Sequence, residues 1–475
     1  MKEMQRDRML GTERIGKLLA RMSVPATVAM LVMALYNVVD TIFIGRGVGT
    51  DAIGGLTIAF PFQIIVMAFA GMIGFGTASV VSRSLGAGNR DRANKAAGNA
   101  FTISVGFGVL VTVVGYALLD PILRLFGATP VLLGYAREYL SVILTGSVFI
   151  TFSMATNNIV RAEGRATVAM SAMVLGAVAN IILDPIFIFG FNMGIRGAAL
   201  ATVISQFFSF AFLLFFFLSG RSSLKIRLPH LKPDRSVLKE VFALGVPTFI
   251  RQSGMSLVLI LVNNLLGHYG GDIYISVFGV IFRILHFVLM PLMGLAQGFQ
   301  PITGYNYGAG NIDRVKHTLR LTILVSTTVA AIGFLILSLI PGPIFRIFSK
   351  DLNLITTGMP MLRVVVLIVP FIGIQMIGTS YFQAIGKARP AFFLGLSRQF
   401  IFLLPMMIVL PLLFGLWGVF AAFPAADFLS TLVTGLWLWK DVRSLSAISP
   451  NRPRGKGREE ADKGTVLRDK ERRVS

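Results

Sequence analysis

Gly86-Ala87-Gly88-Asn89-Arg90-Asp91-Arg92 returns as Gly308-Ala309-Gly310-Asn311-Ile312-Asp313-Arg314, displaced by 222 residues. The same displacement links Ser23-Val24-Pro25 to Gly245-Val246-Pro247, and Arg161-Ala162-Glu163-Gly164-Arg165 to Gln383-Ala384-Ile385-Gly386-Lys387. Gly194-Ile195-Arg196-Gly197 has its echo in Gly415-Leu416-Trp417-Gly418, displaced by 221. A near-constant displacement over most of a chain means two homologous halves, the organisation of many transporter folds. Where the halves differ, they point to what only one copy does. Asp40 and Asp184 lie inside apolar runs, and their counterparts 222 residues on are Val262 and Met406. A charge at the centre of a bilayer costs about 2.5–3.5 kcal/mol on insertion scales. The working carboxylates are therefore expected in the first half alone.

Hydrophobic residues make up 55% of the chain and charged residues only 14%, with a mean hydropathy of +0.75. A soluble domain carries about a quarter charged residues. Apolar runs long enough to cross a bilayer, about 20 residues each, fall at roughly 16–42, 52–80, 97–120, 133–157, 166–192, 196–219, 241–267, 274–299, 318–342, 354–380, 391–413 and 416–439. The first run is too long for a signal peptide and lacks a small-residue cleavage site.

The net charge of +22 is distributed as topology rather than as a nucleic-acid surface. Lys2, Arg6, Arg8, Arg14, Lys17 and Arg21 share one side with Arg83, Arg90, Arg92, Lys95, Arg161, Arg165 and the loop from Arg221 to Lys239. Arg314, Lys316, Arg320, Lys387, Arg389, Arg398 and the tail are assigned to the same side. The opposite loops hold only Arg46, Arg124, Arg137, Arg196, Arg346 and Lys350. By the positive-inside rule both termini are cytoplasmic. The fold expected is an all-α integral membrane protein with 12 transmembrane helices in two pseudo-symmetric six-helix lobes. These are a first lobe over 1–220, a cytoplasmic linker over 221–240, a second lobe over 241–445, and a disordered basic tail over 446–475.

Asn180 and Asp184 are four apart and share one face of a helix. Pro185 cannot donate to the carbonyl of Ile181, so carboxylate and backbone oxygen come together at a bend. Transporters use such broken helices to hold Na⁺ or a proton. Tyr36 and Asp40 have the same spacing, and Thr202 sits one turn from Ala198 with its hydroxyl available as a neutral ligand.

Tyr36-Asn37-Val38-Val39-Asp40, Arg161-Ala162-Glu163-Gly164, Asn180-Ile181-Ile182-Leu183-Asp184-Pro185 and Gly194-Ile195-Arg196-Gly197-Ala198-Ala199 together resemble the multidrug and toxic compound extrusion (MATE) transporters. His268-Tyr269-Gly270, Phe282-Arg283 and Tyr305-Asn306 resemble the DinF and MepA branch. The resemblance runs from about residue 10 to 445. It implies a cation site of Asp40, Asn180, Asp184 and Thr202, with Tyr36, Tyr139 and Asn157 as polar residues of the same cavity. The branch with a glutamate in the seventh span is not matched, since Pro247 is followed by Thr-Phe-Ile-Arg-Gln-Ser-Gly-Met.

Arg251 and Arg283 lie deep in the seventh and eighth spans. Each is open to a structural reading, snorkelling or pairing with a neighbour, and to a functional one, a positive cavity wall opposite the aspartates. The function expected is efflux of amphipathic, often cationic, drug-like molecules from the cell membrane in antiport with H⁺ or Na⁺. A lipid-linked precursor flippase is the alternative. No cofactor is expected beyond the coupling ion. The partners expected are substrates and membrane lipids, with a monomer sufficient. His-Glu-x-x-His and Gly-x-Ser-x-Gly motifs are absent, the four histidines lack metal spacing and there is no cysteine, so no enzyme is expected.

Overall fold

The structure is a computed structural model, and it describes residues 9–448. Among these the chain is helical, with no strand. In order the helices are α1 (Ile15–Gly47), α2 (Thr50–Gly86), α3 (Arg90–Ala117), α4 (Leu119–Leu125), α5 (Pro130–Thr145), α6 (Ser147–Ala162), α7 (Ala166–Pro185) and α8 (Gly194–Leu218). The second half holds α9 (Arg235–Tyr269), α10 (Asp272–Gly308), α11 (Ile312–Leu339), α12 (Pro341–Phe348), α13 (Leu352–Val366), α14 (Val369–Ala384), α15 (Ala388–Leu396), α16 (Leu404–Phe414) and α17 (Leu416–Ile448).

Ten helices are long and apolar enough to cross a membrane, and two bent pairs, α5 with α6 (57°) and α13 with α14 (47°), bring the number to twelve. Twelve membrane helices in two lobes are thus the fold. Gly146 marks the first bend. A Cβ there would lie 2.8 Å from Gln206 Oε1 and 2.9 Å from Val203, so the bend lets the two helices press against α8. At the second, Pro370 opens α14 where its missing N–H costs nothing. Large apolar side chains such as Phe215, Leu412 and Phe414 face outward, as a lipid-facing surface requires.

Each lobe has its own core. Ile44, Leu140, Ile188 and Val203 pack in the first, and Val262, Ile281, Val366 and Phe420 in the second. The lobes meet along α2 with α9, α1 with α10, and α2 with α10. These contacts repeat the internal symmetry. A Cβ on Gly86 would overlap the Tyr305 carbonyl, and one on Gly308 would overlap the Arg83 carbonyl, each 2.8 Å from the carbonyl carbon. The two glycines and the two carbonyls are related by the same 222-residue displacement. Glycine is required there because backbone meets backbone. Beside them Ser79 donates to the Gln383 carbonyl, and Asn306 Nδ2 donates to the Leu10 carbonyl at 2.9 Å.

The connection between halves is tied down. Glu163 accepts from Ser222 Oγ at 2.8 and 2.9 Å, from Ser223 N at 2.9 Å and from Ser223 Oγ at 3.2 Å. Asn99 donates to the carbonyls of His230 and Lys232, both at 3.0 Å, and accepts from Asp234 N at 2.6 Å. Asp234 then caps α9 through the amides of Ser236 and Val237, so the helix starts at Arg235, inside the stretch read as linker. The last helix continues past Leu436 as a separate unit, where the Arg443 guanidinium stands 3.8 Å over the Trp439 ring. The tail beyond Ile448, and Lys2, Arg6 and Arg8, lie outside the described residues.

Candidate ion-coupling site

Four first-lobe helices deliver the expected residues to one place. Asp40 comes from α1, Asn180 and Asp184 from α7, Thr202 from α8 and Tyr139 from α5. Asp40 is 8% exposed, Asp184 0%, Asn180 2% and Tyr139 3%. Asn180 Nδ2 donates to Asp184 Oδ1 at 3.2 Å and to Thr202 Oγ1 at 3.4 Å. Thr202 passes its own proton to the Ala198 carbonyl at 3.0 Å, which leaves its oxygen free to accept. The asparagine is therefore the hinge between carboxylate and hydroxyl. Beyond Pro185 the chain runs on as a π-turn, Ile186–Gly190, a feature common at functional sites.

The carboxyl groups of Asp40 and Asp184 face each other within hydrogen-bonding range. Two ionised carboxylates cannot stay so close in a low dielectric unless a proton or cation stands between them. Three oxygens here are buried without a hydrogen-bond partner: Asp40 Oδ1, Asp184 Oδ2 and Asn180 Oδ1. With Thr202 Oγ1 they form an all-oxygen set of the kind that suits a hard monovalent cation or a shared proton. Tyr36 stands close enough to feel both carboxylates, and the Tyr139 hydroxyl bonds Gln63 beside them.

Two expected residues are elsewhere. Asn157 is not part of this cluster: its Nδ2 donates to the Ala169 carbonyl at 2.8 Å, and its Oδ1 accepts from the buried Arg161. Ala169 precedes Asn180 by 11 residues of α7, about 16 Å along the axis. Holding a buried guanidinium has used the amide's capacity. Arg283 is exposed on α10 and makes no hydrogen bond or ion pair among the described residues.

The second half is not free of buried carboxylates, contrary to expectation. Asp427 on α17 is 4% exposed. It receives Arg398 Nε at 2.5 Å and Nη2 at 3.2 Å. Arg398 accordingly belongs inside the span Ala388–Phe414 and not among the cytoplasmic bases. The available signal was Asp427 itself, lying within the apolar run 416–439. Comparing only the positions displaced from Asp40 and Asp184 passed over it.

A twelve-helix, two-lobed bundle with an oxygen site buried in one lobe defines a membrane transport protein with internal repeats. The chain belongs to the MatE family, whose model matches residues 25–186 and 247–429. The multidrug export protein MepA of Staphylococcus haemolyticus (strain JCSC1435) is 28% identical over 405 residues, covering 85% of this chain and 89% of the relative. The solved structure of the MATE multidrug transporter DinF-BH in complex with R6G is 46% identical, with a TM-score of 0.85 over 91% of this chain and 97% of that one. An outward-facing multidrug resistance MATE family transporter of the MOP superfamily is 26% identical, with a TM-score of 0.87 over 94% and 99%.

Proposed function

We propose that this protein exports amphipathic small molecules across the plasma membrane in antiport with H⁺ or Na⁺, by alternating access between its two lobes. The observation that carries this reading is the set of unpartnered buried oxygens on Asp40, Asn180 and Asp184. A proton or Na⁺ entering from outside removes the repulsion between the carboxylates, and both α1 and the Pro185 turn can then rearrange. The lobes' glycine contacts define the sealed face in this conformation. Opening them while closing the opposite face moves the cargo's exit across the membrane. Names such as multidrug export protein, borne by relatives at 28% identity, support a drug-like cargo here.

One positive charge entering down 100 mV supplies about 2.3 kcal/mol. At about 1.4 kcal/mol per decade this sustains roughly a fifty-fold cargo gradient. One coupling ion is enough. Both termini are placed in the cytoplasm by the charge asymmetry, and a monomer contains every residue the mechanism uses. The test is cargo transport in proteoliposomes with H⁺ and Na⁺ gradients imposed separately. Transport driven by one of them is expected. Transport indifferent to both would overturn the antiport.

A further inference from the structure

Equivalent spans of the two lobes carry opposite charge. In the first lobe α1 holds Asp40 and α7 holds Asp184. In the second, α9 repeats α1 and holds Arg251, while the span Ala388–Phe414 repeats α7 and holds Arg398 on a π-turn, Ser397–Leu403. Asp427 is already engaged by both arms of Arg398. Arg251 comes close enough to Arg398 to be repelled by it, and it makes no hydrogen bond or ion pair among the described residues. The second lobe thus keeps one uncompensated guanidinium inside a membrane bundle. A lone charge there is costly unless a counter-ion arrives.

Its surroundings are built to receive one. Gln252 Oε1 and Gln399 Oε1 are both buried without a partner, and an amide can turn to present its NH₂ to an anion. Gly254, one turn beyond Arg251, brings α9 hard against the π-turn. A Cβ there would lie 2.8 Å from Gln399 Oε1 and 2.6 Å from the Phe400 ring. On its other side the pocket looks across to the first lobe, since a Cβ on Gly71 would stand 3.6 Å from Gln252 Oε1 and 3.5 Å from Met154. A cargo between the lobes can therefore reach it.

We propose that Arg251, with Gln252 and Gln399, forms a second-lobe subsite for an anionic group, a carboxylate or sulfonate, borne by the exported molecule. This rests on the exporter reading above and names its cargo more narrowly. Guanidinium meets carboxylate through paired hydrogen bonds, and the aspartates of the first lobe meet the cargo's cationic end. The favoured cargo is then an amphiphile with both charges, held across the inter-lobe space.

Rhodamine 110 and rhodamine 123 test this, because they share one cationic ring system and differ in a free carboxylate against its methyl ester. Binding of each to the purified full-length protein is measured by fluorescence anisotropy with no gradient present. The wild type should bind the free acid at least as tightly as the ester. Arg251→Gln should move the ratio of the two Kd values about tenfold or more against the acid, the size of a lost charge-assisted hydrogen bond. Arg251→Lys should restore most of the ratio. A wild type that prefers the ester, or a folded Arg251→Gln whose ratio stays within about twofold, overturns the subsite. If Arg251→Gln does not fold, Gln399→Leu must move the ratio the same way, and an unchanged ratio overturns it equally. Failure of the exporter reading has a different signature: neither dye leaves proteoliposomes under any gradient, whatever the binding ratio.

Discussion

Gly86 and Gly308 make a reciprocal contact whose loss should push the two lobes apart at the sealed face. A methyl group on either would lie 2.8 Å from a carbonyl carbon of the other lobe, whereas an ordinary carbon contact is about 3.5–4.0 Å. The obstruction is backbone, so no side chain can swing away, and the helices must separate by roughly 0.7 Å or more to reach that range. Overpacking of this kind costs about 1–3 kcal/mol, charged here to one conformation and not to the other. At about 1.4 kcal/mol per decade, Gly86→Ala or Gly308→Ala should raise the population open at this face about 5- to 150-fold. The chain has no cysteine, which makes the assay clean. Ser82, fully buried at the same interface, is replaced by cysteine, and its rate of maleimide labelling reports the opening. Because one methyl already parts the lobes, the double alanine variant should add less than the sum of the two. A labelling rate within about twofold of the parent, in protein that remains folded, would refute the claim that this contact holds the conformation.

Breaking the Arg398–Asp427 pair from one side strands a charge among apolar helices. Arg398→Ala and Asp427→Ala should each cost about 3–5 kcal/mol, while Arg398→Met with Asp427→Leu should be more stable than either single; thermal unfolding in one detergent decides, and a double no better than the worse single contradicts it. Glu163→Gln removes the charge that gathers Ser222 and Ser223, at a cost of about 1–3 kcal/mol. Tryptic cleavage at Arg221 and Lys225 should then quicken about fivefold or more, and an unchanged rate would show that the connection is held by Asn99 alone.

What could be read from the sequence was whatever repeats or recurs at helical spacing. The 222-residue displacement foretold two lobes, and the structure turns it into the paired Gly86–Tyr305 and Gly308–Arg83 contacts. The four-residue spacing of Asn180 and Asp184 foretold a shared face, and the 3.2 Å hydrogen bond lies on it. Thr202 arrives from another helix, so only the resemblance pointed to it. Asn157 went astray because an amide's partner is set by tertiary packing, here the Arg161 guanidinium. Asp427 was hidden by its own neutralisation: its partner Arg398 lies 29 residues earlier, too far for any local pattern. The π-turns leave no period in the sequence, since they shift hydrogen bonds without shifting polarity.

Asp40 and Asp184 bear the central claim, and asparagine at each keeps the size and much of the hydrogen bonding while removing the titratable charge. In proteoliposomes, with whichever of H⁺ or Na⁺ drives the wild type, the measurement is accumulation of a cationic dye against its own gradient. Asp40→Asn and Asp184→Asn should each insert normally, retain measurable dye binding when no gradient is applied, and lose the roughly fifty-fold accumulation that one entering charge sustains at 100 mV. Wild-type accumulation by one variant removes that carboxylate from the coupling site; wild-type accumulation by both contradicts ion coupling at this site altogether.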